Sequence, residues 1–504
     1  MKMENTLLLG IDFGTGGCKT TVIDTTGVVM AEASQDYRTY HPYPSYSEQN
    51  PDDWFAALLI CLSKIRSEID MGRIVGLSLD SSTHNAVLLD KNMEIIRPTI
   101  MWLDQRSTKE VAFLEQHWGG DIFRIGYQKV ASTWTLPQLL WIKNNEPDNF
   151  RKIDKLMFIK DYVRYLLTGT WETDFIDAQG TLFFDIKKGN WSSELCDLIG
   201  LPSRVLPPIC KPTDVTGAVT AEASRLTGLR EGIPVVCGTS DVTAEDYGAG
   251  AIKPSQCIIK LATAGNLNIM TAQATPNPKT LTYSHIVPDL WYTAVATNTA
   301  ASSMRWFRDT FCAQEQEEAD RTGQHVYQLI EKAANEIAVG SDGLLFHPYL
   351  MGERAPYWDP NLRASFIGAS MAHGKGHFMR AVMEGVAFSL KDCFNLAEEI
   401  GLPVEEFILI GGGAKSRLWS QIVCDVLGKK VTRPTVTDAS FGTALIAGVG
   451  IGIFQDLLDA VQRCVHTEDE LMPDLQNHVY YEKQFNYYSE IRDKLQHLYT
   501  EMNK

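Results

Sequence analysis

Apolar residues come in short continuous runs at the start of this chain, and glycine turns separate them. Leu7, Leu8, Leu9 and Ile11 make one run, the pattern of a strand buried on both faces. Thr20 to Ile23 reads as a returning strand, and Val28 to Ala33 as a third after the Thr25-Thr26-Gly27 turn. Gly14, Thr15, Gly16 and Gly17 lie between the first two. Small residues there tolerate positive φ, so the backbone can turn sharply with its amides pointing outward. The period then changes to that of a helix. Asn50 caps a segment that opens with Pro51 and runs to about Ile69, with Trp54, Leu58, Cys61, Leu62 and Ile65 on one face. Ile74 to Leu79 is a short buried strand that ends in the polar cluster Asp80 to His84. Trp102 to Arg106 follows a further strand and opens a helix, and Thr135 to Asn144 and Lys160 to Leu167 read as helices. The segment Asp174 to Thr181 is polar, and prolines at 207, 208 and 212 mark loops.

The second half repeats the opening. Pro234 to Cys237 is an apolar strand that runs through Gly238-Thr239-Ser240-Asp241 into a small-residue helix. Cys257 to Leu261, Thr263-Ala264-Gly265 and Leu267 to Met270 then form strand, turn and returning strand, which points to an internal duplication. Gln324 to Ala338 and His377 to Ile400 are long amphipathic helices, with the turn-rich loop Tyr349 to Pro356 between them. Phe407 to Ile410 is a strand, followed by Gly411 to Ala414 and a helix from Lys415 to Leu427. The uncharged run Phe441 to Phe454 is rich in glycine and shorter than the ~20 residues of a membrane span. It reads as a buried helix packed closely through its glycines. After Asp456 the tail reads as helical.

At 504 residues the chain is too long for one core, and about two to four domains are expected. The formal charge of −16 argues against nucleic acid and anionic membrane surfaces as partners. Ten cysteines without C-x-x-C spacing support neither structural zinc nor a disulfide framework. Asp12 interrupts the first apolar stretch too early for a secretion signal, so the expected compartment is the cytoplasm.

Four places carry candidate chemistry. The Gly14 to Gly17 turn makes a concavity of backbone amides that suits a phosphate. Asp12 beside it would repel that phosphate unless Mg²⁺ lay between them, held through water. Gly411 to Ala414 before a helix offers a second set of amides. Asp241 follows a buried strand and opens a helix, where a carboxylate is partly desolvated; capping that helix is its structural alternative. His84 lies just past a strand's carboxyl end, where α/β sheets bind ligands. A dinucleotide fold is excluded, because no G-x-G-x-x-G opens a helix after the first strand.

Taken together, the motifs Gly10 to Thr15, Glu48 to Pro51, Thr83-His84, Trp102 to Arg106, Lys160 to Tyr162, Gly238 to Asp241, Gly352 to Arg354 and Gly411 to Ala414 resemble the FGGY family of carbohydrate kinases, nearest its xylulokinase branch. The likeness spans nearly the whole chain. It implies two α/β domains of the actin/Hsp70/hexokinase (ribonuclease H-like) type, each a mixed five-stranded sheet with helices on both faces and with the active site in the cleft between them. The expected division is 1–248, mainly for sugar, and 249–504, mainly for ATP, with a helical tail from about 456. By the resemblance, Asp241 is the catalytic base and also faces sugar and metal, and Asp12 positions Mg²⁺. Thr15, Gly16, Gly17 and Lys19 match the first phosphate loop, with a solvated strand position as the alternative for Lys19. Thr263 and Gly265 match the second. Gly412, Gly413, Ala414 and Ser416 match the adenosine platform, with Ser416 alternatively a helix cap. Thr83, His84 and Asp104 match the sugar side. Three positions depart from the family pattern: Thr83 for methionine, Gln138 for lysine and Ala262 for glycine. The implied activity is ATP-dependent phosphorylation of a terminal hydroxyl of a small sugar or polyol. A ketopentose such as xylulose leads; ribulose, erythritol, other polyols and hydroxyketones stay open. So do a non-kinase ATPase or sugar sensor of the same fold, and assembly as a homodimer.

Overall fold

The computed structural model describes residues 6–502. Its first sheet contains β1 (Leu7–Phe13), β2 (Gly17–Asp24), β3 (Val29–Asp36), β4 (Ile74–Ser81), β5 (Val215–Ala218) and β6 (Pro234–Ser240), in the order β5-β6-β4-β1-β2-β3. Strands β1 to β3 form an antiparallel meander, whereas β4 lies parallel to β1 and β6 parallel to β4. The second sheet contains β7 (Gln256–Leu261), β8 (Gly265–Thr271), β9 (Leu281–Ser284), β10 (Trp291–Thr297), β11 (Glu406–Ile410), β12 (Val431–Pro434) and β13 (Thr467–Leu471), in the order β9-β10-β8-β7-β11-β12-β13. Strands β7, β8 and β10 repeat the meander, and β11 and β12 repeat the parallel pair. The core β3-β2-β1-β4-β6 therefore matches β10-β8-β7-β11-β12, and the short echo in the sequence reflects a duplicated topology.

Each sheet exceeds the expected five strands, through β5 on one and β9 and β13 on the other. Strand β13 corrects the reading of the tail as helical. Thr467-Glu468-Asp469-Glu470-Leu471 has little intrinsic strand preference. It pairs with β12, where Arg433 meets Glu468 and Asp469 at 3.0 and 3.2 Å, and Lys430 just before β12 meets Glu470 at 2.7 Å. Opposite charges across a strand pair supply what the residue types lack. Helical structure resumes at Leu475–Met502.

Five helices matter for the site: α1 (Pro51–Ile65), α2 (Asp241–Gly248), α3 (Lys375–Glu399), α4 (Arg417–Leu427) and α5 (Ala439–Gly450). Helix α5 is the glycine-rich run, and it lies between the lobes, on β1 and β4 of the first sheet and against α2. A Cβ on Gly442 would sit 2.8 Å from the Ala244 carbonyl carbon, and nearer still to its oxygen. A Cβ on Gly10 would collide with the Ser440 backbone in the same way. Glycine is needed at both points because backbone meets backbone there. The seam also carries hydrogen bonds: Thr21 Oγ1 lies 2.7 Å from Ser440 Oγ, and Thr443 donates to Asp80 Oδ2.

Candidate active site

The seam between the lobes begins with register. Asp12 near the end of β1 stands directly beside Asp80 near the end of β4. Their carboxyl groups are in contact, and neither Asp12 Oδ1 nor Asp80 Oδ1, both buried, has a partner among the described residues. Burial, with a hydrogen bond to Asp80 working against it, pushes the Asp12 carboxyl up to about 7, and the nearby charge of Asp241 adds to the rise. Burial also holds Asp80 well above the usual carboxylate range, and the charge of Asp12 raises it further.

Asp241 is the first residue of α2, yet it does not cap that helix. Ser240 does so, its Oγ accepting the Thr243 N–H at 3.3 Å. The Asp241 carboxylate accepts the N–H of Val242 at 2.8 Å; burial raises it, while Lys260 and the backbone N–H groups of Val242 and Asp241 pull it down. Lys260, on β7, forms a 2.6 Å ion pair with Glu245 of α2. Lys260 thus brings the second sheet to the acids of the first, three residues before Thr263. The charges of Asp241, Glu245 and Lys260 all act on Asp12, so these groups are gathered close together.

The two glycine turns flank it. Trp102 Nε1 donates to Thr15 Oγ1 at 2.9 Å, and Gln49 Nε2 donates to the Thr15 carbonyl at 2.7 Å, fixing the first turn. Gly14, Gly16 and Gly17 do not adopt the positive φ expected of them, and a Cβ on Gly16 would meet nothing within 4 Å. Lys19 does not point a free ammonium at the turn. It pairs with Asp438, at the start of α5, at 2.6 Å and with Glu32 at 3.2 Å, so it ties the lobes together. In the second turn the carbonyls of Ala262 and Thr263 accept N–H groups from Ala301 and Ala300 at 2.7 and 2.9 Å. Arg305 reaches Thr263 Oγ1 at 3.3 Å, a contact with no cue in the sequence. Gly265 starts β8, and the Gly411–Ala414 turn stacks beside Leu261 and Ala262. Gly412 faces open space, whereas Gly413 packs on Leu261 and Ala414 is buried. Ser416 caps α4 by accepting the Trp419 N–H at 3.1 Å.

On the sugar side, His84 adopts φ 55° and donates its backbone N–H to Asp177 Oδ1 at 2.6 Å. Its carbonyl accepts from Thr135 Oγ1 at 2.7 Å, and its ring lies 5.1 Å from that of Trp134. Burial pulls the imidazole down to about 3, so it is neutral, and Nδ1 has no partner among the described residues. Thr83 precedes it, its methyl toward Gly180. Asp104 differs from the expectation: both oxygens are taken. Oδ1 accepts from the Arg106 N–H and Nε at 2.8 and 2.9 Å, and Oδ2 from the Ser47 N–H and Arg106 Nη2 at 2.5 and 2.8 Å. Gln138 likewise spends its amide on the Met101, Ser132 and Thr133 carbonyls, at 3.2 to 3.3 Å. Trp134, Lys260 and Thr443 escaped sequence reasoning, and Asp80 and Asp177 stood out only as members of polar segments, with no role given to either. Asp177 belongs to a fully buried cluster in which Lys160 Nζ meets Asp161, Asp174 and Asp177 at 2.7, 2.9 and 3.3 Å. Three charged residues, Lys160, Asp161 and Arg164, within one turn and a half of a helix that is apolar or aromatic elsewhere up to Leu167, were the available signal.

Two duplicated α/β lobes with acids and glycine turns in their seam define a domain pair of the actin/Hsp70/hexokinase class. The chain belongs to the FGGY family of carbohydrate kinases: the family's N-terminal domain matches residues 7–248 and its C-terminal domain residues 261–451. It is therefore a carbohydrate kinase. It is 32% identical to the xylulose kinase of Bacillus subtilis over 489 residues, 96% of each chain. It is 30% identical to the gluconokinase of the same organism over 457 residues, 90% of this chain and 89% of that one. The ligand-bound xylulose kinase structure from Lactobacillus acidophilus superposes with a TM-score of 0.88 at 26% identity, covering 99% of this chain and 100% of that one. No helix among the described residues is long and apolar enough to cross a membrane.

Proposed function

We propose that this kinase transfers the γ-phosphoryl group of ATP to a terminal hydroxyl of a small uncharged sugar, a ketopentose such as xylulose first. Asp241 is the general base. It takes the hydroxyl proton as the oxygen bonds to phosphorus and ADP leaves with the electrons of the broken P–O bond. Its carboxylate is held by backbone N–H groups alone, with no side-chain hydrogen bond among the described residues, and this and its place at the mouth of α2 carry the reading. Domain roles follow the lobes: 1–248 presents the sugar, and 249–504 presents ATP through Thr263, Gly265 and Gly412 to Ala414, with Thr15, Gly16 and Gly17 facing the transferring phosphate. Asp12 Oδ1, buried and without a partner among the described residues, suits a hard cation that keeps its waters, and Asp12 and Asp241 would hold Mg²⁺ there. When bound, Mg²⁺ offsets the charge of the triphosphate. We place the reaction in the cytoplasm.

The pocket chemistry favours a neutral acceptor over an aldonate. Asp241 is the acid placed for the acceptor, His84 is uncharged, and the Lys160 ammonium is shared among three carboxylates and so is not free for an anion. A coupled ADP-release screen over pentuloses, hexuloses, polyols and gluconate tests this, with turnover expected on a neutral ketose and little on gluconate. Asp241→Asn should lower kcat by about 10³-fold while sugar binding stays within a few-fold. A near-normal rate in that variant refutes the base.

A further inference from the structure

The second sheet reaches the sugar pocket through its edge strand β9. Gln128 Nε2 of the first lobe donates to the Thr282 carbonyl at 2.6 Å. Gln179 makes a paired contact with Ser284: its Nε2 donates to Ser284 Oγ at 2.6 Å, and its Oε1 accepts the Ser284 N–H at 2.9 Å. Both glutamines are buried. They therefore staple the residues on either side of Tyr283. Gln179 and Asp177 sit on one short helix, Phe175–Gln179, so a single element holds His84 by its N–H and grips β9.

The staple brings Tyr283 beside the aromatic cover of His84. Its ring stacks on Tyr292 at 5.4 Å and lies 6.5 Å from Trp134, the residue that covers His84. Tyr283 is 7% exposed, and its hydroxyl has no hydrogen-bond partner among the described residues. Tyr292 next to it bonds Thr243. Burial and the charges of Asp177 and Asp241 keep the Tyr283 phenol protonated, so it is a donor. A phenol donor near the base and beside a neutral imidazole suits a sugar hydroxyl.

We infer that Tyr283 is a specificity-determining sugar contact supplied by the second lobe, held in place by Gln128 and Gln179, so that the sugar site is complete only when the lobes meet. This rests on the sugar-kinase reading above. The test is steady-state kinetics of Tyr283→Phe and Gln179→Ala with D-xylulose and its epimer D-ribulose. Losing one donor to a substrate hydroxyl should raise the sugar KM about tenfold in Tyr283→Phe. The ATP KM should move less than about twofold, and the ratio of kcat/KM between the two epimers should shrink. Gln179→Ala should raise the sugar KM in the same direction. Tyr283→Phe with sugar KM and epimer ratio both unchanged overturns the inference and leaves the kinase reading standing. A wild-type enzyme that turns over no sugar overturns both, and the two failures are thereby told apart.

Discussion

Gly442→Ala probes the joint between the lobes. The new methyl carbon would lie 2.8 Å from the Ala244 carbonyl carbon and 3.1 Å from the Gly248 N, and its nearest contact is the Ala244 oxygen. All three are backbone atoms, so no side chain can swing aside. Helices α5 and α2 must separate. Overpacking of this kind costs about 1–3 kcal/mol. Separation also draws Thr443 from Asp80, and a buried acceptor left unpaired adds about 1–3 kcal/mol. The sum, roughly 2–6 kcal/mol, corresponds to a Tm lowered by about 4–24 °C for lobes of this size. Catalysis should fall as well, because Asp241 lies on α2 three residues before Ala244. Differential scanning calorimetry and the coupled ADP assay measure both. Gly16→Ala is the matched control: its methyl meets nothing within 4 Å and its φ is not positive, so Tm should hold within about 2 °C. Activity lost in Gly16→Ala at unchanged Tm would place the phosphate against that turn. A Gly442→Ala protein that melts like wild type refutes the close-packed joint.

Lys260→Met removes the cation that lowers the Asp241 pKa. The base form then persists only at higher pH, so the acid limb of kcat/KM should move upward; an unmoved or downward limb refutes the electrostatic link. Thr443→Val removes the hydroxyl given to Asp80 across the seam and should cost about 1–3 kcal/mol in urea unfolding, with loss confined to stability if Asp80 has no part in the chemistry.

Local chemistry made much of this protein legible. Leu7 to Ile11 announces a buried strand because every residue in it is apolar, and Asn50-Pro51 announces a helix because cap and first turn are short-range features. The glycines of residues 442–452 likewise pointed to close packing, though not to the partner. What remained hidden depends on separations that no local pattern encodes. Asp80 meets Asp12 only because two parallel strands lie side by side, and Thr443 reaches Asp80 across 363 positions. Asp104 looked like a sugar ligand until its oxygens were found occupied by Arg106 and Ser47, and Lys19 like a phosphate ligand until Asp438 claimed it. Strand β13 exists because β12 offered an unpaired edge with complementary charge, not because its own residues prefer to extend. The residue types and their period thus set the strands, turns and caps, since those answer to neighbours a few positions away. Which carboxylate stays free, and which tyrosine faces the sugar, was decided by the folding of two lobes onto each other, since only that contact determines which polar atoms are satisfied.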